Sequence, residues 1–206
     1  MSAIIFDFDG TIADTLEYFQ DFLVEEAKLP KLSMARRHEL HGMTLMGLAR
    51  YLGHPRWRLA QLYFQGRKHL EPIIDQIQPF EGMIDVLQKL HAEGHELFII
   101  SSNSKKNMVH FLHNNDVDSL FVEIKGGVVL FNKRYAIRSL IRKHHLKRSN
   151  SIFIGDEVRD VIGAKQAGIR SVAVGWGFAK EPALKAAHPT RFVHSPEKLL
   201  TLLEEV

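Results

Sequence analysis

Short apolar runs, each followed by a stretch of helical periodicity, recur along the chain. Residues 3–8, 96–100, 120–124, 151–154, 171–174 and 191–193 read as strands, and 83–93, 105–114 and 135–145 as helices, the first of these stopping at Gly94. Three of the runs, Ile4-Ile5-Phe6, Leu97-Phe98-Ile99-Ile100 and Ile152-Phe153-Ile154, are apolar at every position rather than at alternate ones. Strands of that kind have both faces covered, so the pattern predicts a Rossmann-like α/β core, a parallel sheet flanked by helices. Residues 16–70 break the alternation, with several helical stretches and no strand. They read as an inserted helical domain, entered at the helix start Asp14-Thr15 and left at the turn Pro79-Phe80-Glu81-Gly82.

In open α/β sheets ligands bind beyond the carboxyl ends of the strands, so the polar residues that follow apolar runs are the candidates for chemistry. The first run ends in Asp7-Phe8-Asp9-Gly10-Thr11. Alternation along an extended chain aims Asp7 and Asp9 the same way and Phe8 into the core. Two carboxylates this close need a cation or a shared proton, which suggests a metal site or an acid/base pair; a capped turn ahead of the next helix is the plainer alternative. Gly10 permits a sharp turn and close approach of backbone to a ligand. The second run ends in Ser101-Ser102-Asn103-Ser104 ahead of a helix, either an anion site at a helix N-terminus or an N-cap by Ser102 or Ser104. Lys133 stands before a helix in a loop that follows Gly126-Gly127, where a lone lysine ordinarily faces solvent. The fourth cluster, Gly155-Asp156-Glu157-Val158-Arg159-Asp160, puts Asp156 and Asp160 on one face if helix has begun, or is an acid-rich helix start favoured by the macrodipole.

The 206 residues suffice for one cored domain plus a small accessory one. The lack of cysteine rules out disulfides and thiolate metal sites and fits a reducing compartment. Without a signal-like N-terminus or an apolar stretch of about 20 residues, the expected location is the cytoplasm, with no membrane association. The net charge of +3 is unevenly spread: residues 31–70 carry eight Lys or Arg against one acid, Glu39, and the rest of the chain is net acidic. This basic segment, with Tyr51, Trp57 and Tyr63, raises a nucleic-acid-binding alternative, which the absence of a binding motif and the acidic remainder disfavour. It is otherwise a solvated helical face or a field for an anionic substrate. The twelve histidines show no ligand spacing.

Taken in order, the four clusters resemble the DxDGT/S, Ser/Thr, Lys and GDxxxD motifs of the haloacid dehalogenase superfamily. The resemblance extends over nearly the whole chain, through Glu81-Gly82-Met83 and Ala164-Lys165-Gln166-Ala167-Gly168-Ile169. Val174-Gly175-Trp176-Gly177-Phe178 and Pro196-Glu197-Lys198-Leu199-Leu200 are similar to the phosphoglycolate-phosphatase-like branch. This implies a core of residues 1–14 and 80–206 with a helical cap at 15–79 that sets specificity. It also implies a phosphatase for a small anionic phosphate ester, working through an aspartyl-phosphate. Asp7 is then the nucleophile and Asp9 the acid/base, with Mg²⁺ on Asp7, the Asp9 carbonyl and Asp156. Ser101 binds the phosphoryl group, Lys133 neutralises nucleophile and phosphate, and Asp160 and Glu157 orient them from behind. Gly10, Thr11, Ser102 and Asn103 line the substrate, and Arg50 and Arg58 of the cap are candidates for a second anion. An acid at position 9 disfavours the dehalogenase and phosphonate-cleaving branches; a sugar phosphomutase remains the alternative within the superfamily.

Overall fold

The computed structural model describes residues 2–26, 65, 70–128 and 132–204. Its strands are β1 (Ala3–Phe6), β2 (Glu96–Ile100), β3 (Phe121–Lys125), β4 (Ser151–Gly155), β5 (Arg170–Val174) and β6 (Arg191–Val193). The helices of the described residues are α1 (Leu16–Glu26), α2 (Met83–Ala92), α3 (Lys105–Asn114), α4 (Lys133–Lys143), α5 (Val158–Ala167), α6 (Glu181–Ala186) and α7 (Glu197–Glu204). All strand pairs are parallel, in the order β3-β2-β1-β4-β5-β6. The chain builds outward from β1 to β3 and then crosses back to β4, so the sheet is α/β and Rossmann-like. The crossing opens a crevice at the carboxyl edge between β1 and β4.

The continuous apolar strands are buried on both faces, as their sequence requires. On one face Ile4, Phe6, Ile99 and Ile154 pack with Met83, Val86, Leu87 and Leu90 of α2 and with Met108, Phe111 and Leu112 of α3. On the other, Ile5, Phe98, Ile100 and Phe153 meet Ile137, Leu140 and Ile141 of α4 and the small residues Ala164 and Ala167 of α5. Each fully buried side chain of this size contributes roughly 1.5–3 kcal/mol, so the sheet edge that carries the polar residues rests on a stiff base.

Several element ends differ from the sequence expectation. β1 stops at Phe6, two residues early, because the Phe8 carbonyl accepts the N–H groups of Thr11, Ile12 and Ala13 (3.2, 2.9 and 3.1 Å) and coils the chain. Extended alternation therefore does not govern Asp7 and Asp9. β3 is displaced by one residue, since residues 118–120 form a short 3₁₀ turn. Helix α4 begins at Lys133 rather than Tyr135, which moves Lys133 from an exposed loop to the first turn of a helix with its side chain buried.

The two connections that bracket the expected insertion run side by side. Ala13 and Pro79 form an antiparallel bridge; the Asp14 N–H donates to the Gln78 carbonyl (2.9 Å) and the Phe80 N–H to that of Ile12 (3.1 Å). Just before this pair, the 3₁₀ turn Glu71–Gln76 is docked on α3, where Glu71 pairs with Lys106 and Asp75 accepts from Asn114 (2.7 Å) and pairs with His110 (2.8 Å). Leu70, Ile74 and Ile77 complete that attachment by joining the α2–α3 core. No helix among the described residues is long and apolar enough to cross a membrane.

Candidate active site

Asp7 follows β1 directly, and its N–H still pairs with the Ile154 carbonyl of β4 (2.8 Å). Its carboxylate is buried, with Oδ1 accepting from the Phe8 N–H (2.8 Å) and Oδ2 from Lys133 Nζ (2.5 Å). Burial favours the neutral acid, but the Lys133 ammonium, the Arg159 guanidinium and these hydrogen bonds outweigh it and hold the Asp7 carboxyl below its ordinary range. Asp9, inside the coil that begins at Phe8, is handled differently. Burial and the Asp7 charge push it up to about 6, against the Asn103 amide, the Thr15 hydroxyl and Arg159. The two aspartates thus carry different proton affinities, the separation expected of a nucleophile and an acid/base partner.

Lys133 enters from α4 on the opposite side. Its ammonium bridges Asp7 and Asp160 and lies 4.9 Å above the Phe153 ring. Burial favours the free amine, but the two carboxylates keep it charged and move its pKa upward. Asp160, in the first turn of α5, also accepts the Glu157 N–H (3.0 Å) in a capping box. It is pushed to about 6 by burial, with Lys133 opposing and Asp7 adding. Glu157 pairs with Arg159 (2.5 Å).

Asp156 closes β4. Its Oδ1 accepts from the Thr11 hydroxyl (2.8 Å) and its Oδ2 from the Phe178 N–H (2.7 Å). Gly10 has φ +74°, and a Cβ there would strike the Asp156 carboxylate and the Phe178 ring, so only glycine allows the turn to close on Asp156. Oxygens of Asp7, Asp156 and Asp160 lie within 4.8 Å of one another. Burial, then Glu157, Asp160 and Asp7, raise the Asp156 pKa well above its ordinary value. Three buried carboxylates around one ammonium leave negative charge that a divalent cation would balance, and hard oxygen donors suit Mg²⁺ or a similar ion. All three carboxylates accept hydrogen bonds on both oxygens, so hydrogen bonding does not choose among them; Asp7 and Asp156, which directly follow the adjacent central strands β1 and β4, are the two that the sequence expectation names as side-chain ligands.

Ser101, Ser102 and Asn103 lie beyond β2 and are buried. The Ser101 N–H remains paired to Lys125 of β3 (3.0 Å), and its Oγ accepts from the Asn103 N–H (3.3 Å). The N-cap of α3 is Ser104, whose Oγ accepts from the Asn107 N–H (3.1 Å), so capping does not occupy Ser102. Asn103, expected at the substrate, donates from Nδ2 to both oxygens of Asp9 (2.9 and 3.1 Å). Arg50 and Arg58 lie outside the described residues. Three contributors were not singled out from sequence: Asn107, Arg159 and the Phe178 N–H. Asn107 had a signal in its spacing of four from Asn103; Phe178, 22 residues beyond Asp156, had none.

A family model described as haloacid dehalogenase-like hydrolase matches residues 4–174. The chain is 32% identical over 211 residues to a phosphoglycolate phosphatase of Synechococcus elongatus, covering 100% of this chain and 99% of that protein. It is 25% identical to a 5'-nucleotidase of Pseudomonas aeruginosa, over 98% of this chain and 95% of the other. Among solved structures, that of a predicted phosphatase from Clostridium acetobutylicum superposes with a TM-score of 0.83 at 21% identity, covering 100% and 99% of the two chains, which shows a shared fold.

Proposed function

We propose that this chain, which belongs to the haloacid dehalogenase-like hydrolase family and is a phosphoric monoester hydrolase, cleaves a small anionic phosphate ester through an aspartyl-phosphate on Asp7. Phosphoglycolate is the first candidate, because the relative that matches end to end at 32% identity carries that activity in its name. The observation that carries the mechanism is the contact of buried Asp7 with Lys133 at 2.5 Å, which keeps the carboxylate ionised.

An Asp7 oxygen attacks phosphorus, the ester P–O bond breaks, and Asp9 delivers its proton to the leaving oxygen. Water then attacks the phosphoryl group, Asp9 takes a proton from it, and the Asp7–phosphorus bond breaks to release inorganic phosphate. Lys133 offsets charge on Asp7 and on the incoming phosphate, while Ser101, Ser102, Gly10 and Thr11 surround the phosphoryl oxygens. Asp7, the Asp9 carbonyl and Asp156 would hold Mg²⁺, which supplies Lewis-acid stabilisation of phosphoryl charge when bound. Asp160 and Glu157 orient Lys133 and the start of α5. Residues 15–79 act as the helical cap, and the enzyme works in the cytoplasm, as its lack of cysteine fits.

The test is phosphoenzyme trapping with labelled substrate. Wild type is expected to carry acid-stable label on Asp7, and Asp7→Asn to carry none and turn over nothing. Robust hydrolysis by Asp7→Asn would remove the mechanism.

A further inference from the structure

We infer that Asn103 is a positioning residue for Asp9, a carboxamide locked in one orientation so that only donors face the acid/base carboxyl. The inference rests on the roles proposed for Asp7 and Asp9. The amide is held at its other end: Asn103 Oδ1 accepts the Ser104 N–H (2.7 Å) and Asn107 Nδ2 (3.2 Å). A backbone N–H can only donate, so rotating the amide by a half-turn would set NH₂ against N–H and turn its oxygen on the Asp9 carboxylate. Both contacts would be repulsive. The orientation is therefore dictated by Ser104 and Asn107 rather than left to choice.

The main chain of Asn103 is equally constrained. Its carbonyl accepts the Gly127 N–H (2.7 Å), and Gly126 packs so tightly on this carbonyl and on Lys105 N that a Cβ has no room. Asn103 and Asn107 are both buried, and Asn107 stands in the first turn of α3, tied by its N–H to the Ser104 cap. Asp9 thus faces a rigid donor mounted on a helix start, not a mobile loop side chain.

This has a direct chemical consequence. An NH₂ group cannot accept a proton, so when Asp9 is protonated its O–H turns away from Asn103, toward the side where the ester must lie. As the Asp7–phosphorus bond forms and the ester P–O bond breaks, that proton passes to the leaving oxygen. The remaining carboxylate is met by the two Asn103 donors. A correctly aimed proton matters most where the leaving group is a poor one.

The experiment compares first-turnover rates of the Mg²⁺-loaded enzyme on benzyl phosphate, whose alkoxide needs a proton, and p-nitrophenyl phosphate, whose phenolate does not. Asn103→Ala is expected to slow benzyl phosphate by about 10- to 100-fold and p-nitrophenyl phosphate by less than about threefold. In an Asp9→Asn background the same change should cost nothing more on benzyl phosphate, since the group it aims is gone. Asn107→Ala should show the same selectivity at smaller size, and it carries the test if Asn103→Ala does not fold. Equal losses on the two esters, or a loss that persists without Asp9, would overturn the inference in favour of phosphate binding or simple packing. Hydrolysis that survives Asp7→Asn would instead remove the reading of the site itself.

Discussion

Lys133 and Asp7 are 126 residues apart and meet with Nζ 2.5 Å from Oδ2, inside a site where Asp160 occupies the other side of the same ammonium. One cation thus separates two buried carboxylates that would otherwise face each other. Removing one partner of a buried ion pair costs about 3–5 kcal/mol, because the remaining charge is stranded. Lys133→Met should therefore lower both activity and stability, with kcat falling at least 100-fold. Urea unfolding of the metal-free protein, followed with and without Mg²⁺, would check the second effect. The variant should lose stability at neutral pH and regain part of it at pH 5, where Asp160 can be neutral. A variant as stable as wild type at pH 7 would contradict the assigned charge balance.

A divalent ion should act on the same balance. Chelation is expected to silence hydrolysis and Mg²⁺ to restore it, while Ca²⁺, larger and looser in its coordination, supports little turnover. Asp156→Asn separates this from folding. The Asn can still receive the Phe178 N–H on its oxygen, while the Thr11 hydroxyl turns to accept from its nitrogen, and a buried charge disappears. The metal-free variant should melt at or above the wild-type temperature at pH 7, yet show no Mg²⁺-induced rise and no activity. A full Mg²⁺ shift in Asp156→Asn would remove Asp156 from the ligand set.

How much of this could be read from the chain depends on which residues local pattern governs. The edge positions of Asp7 and Asp156 were legible because each follows an apolar run, Ile4-Ile5-Phe6 or Ile152-Phe153-Ile154, in a parallel sheet, and topology alone brings such positions to one edge. Lys133 was legible only through the family motif, since its burial depends on α4 starting two residues earlier than the apolar periodicity suggests. Sequence places Asn103 among the substrate-binding residues; the contact of its amide with Asp9 could not be read there, because it depends on how the ends of β1 and β2 abut. The Phe178 N–H on Asp156 could not be read at all, because a backbone donor leaves no mark in residue identity.

Asp9 supplies a pH signature. Its folded-state pKa of about 6 stands above the ordinary aspartate value of 3.8, so the folded state binds its proton more tightly than the unfolded state. The contribution to stability is then fully present below about pH 4 and is lost as pH rises through 6. Asp9→Asn lacks this loss, whereas contributions common to both proteins, that of Asp160 among them, cancel in the difference. The melting temperature of metal-free Asp9→Asn, relative to wild type, should rise between about pH 4 and 6 and level off above. The gain corresponds to about 1–3 kcal/mol. A difference that stays flat across this range would refute the raised value.

The last expectation concerns the basic segment, residues 31–70, whose eight Lys and Arg against one acid are the least ordinary feature of the composition. Exposed cations that merely solvate a helix contribute little to stability or binding. Cations placed to meet a substrate act otherwise: their field draws in an anion, and an arginine fork can pair with a carboxylate through two parallel hydrogen bonds. A phosphoester with an added carboxylate, such as phosphoglycolate, should then exceed a neutral-tailed ester of equal size in kcat/KM by about tenfold or more, the effect of a single charge-assisted pair. Salt at 0.5 M should shrink that advantage, because screening weakens the field over most of its range. Replacing Arg50, Arg56 and Arg58 together by Ala should raise KM for the carboxylated ester and leave p-nitrophenyl phosphate within about twofold, since the latter offers no second anion. If the triple variant keeps the wild-type preference at both low and high salt, these charges serve only the surface, and the selectivity must come from elsewhere.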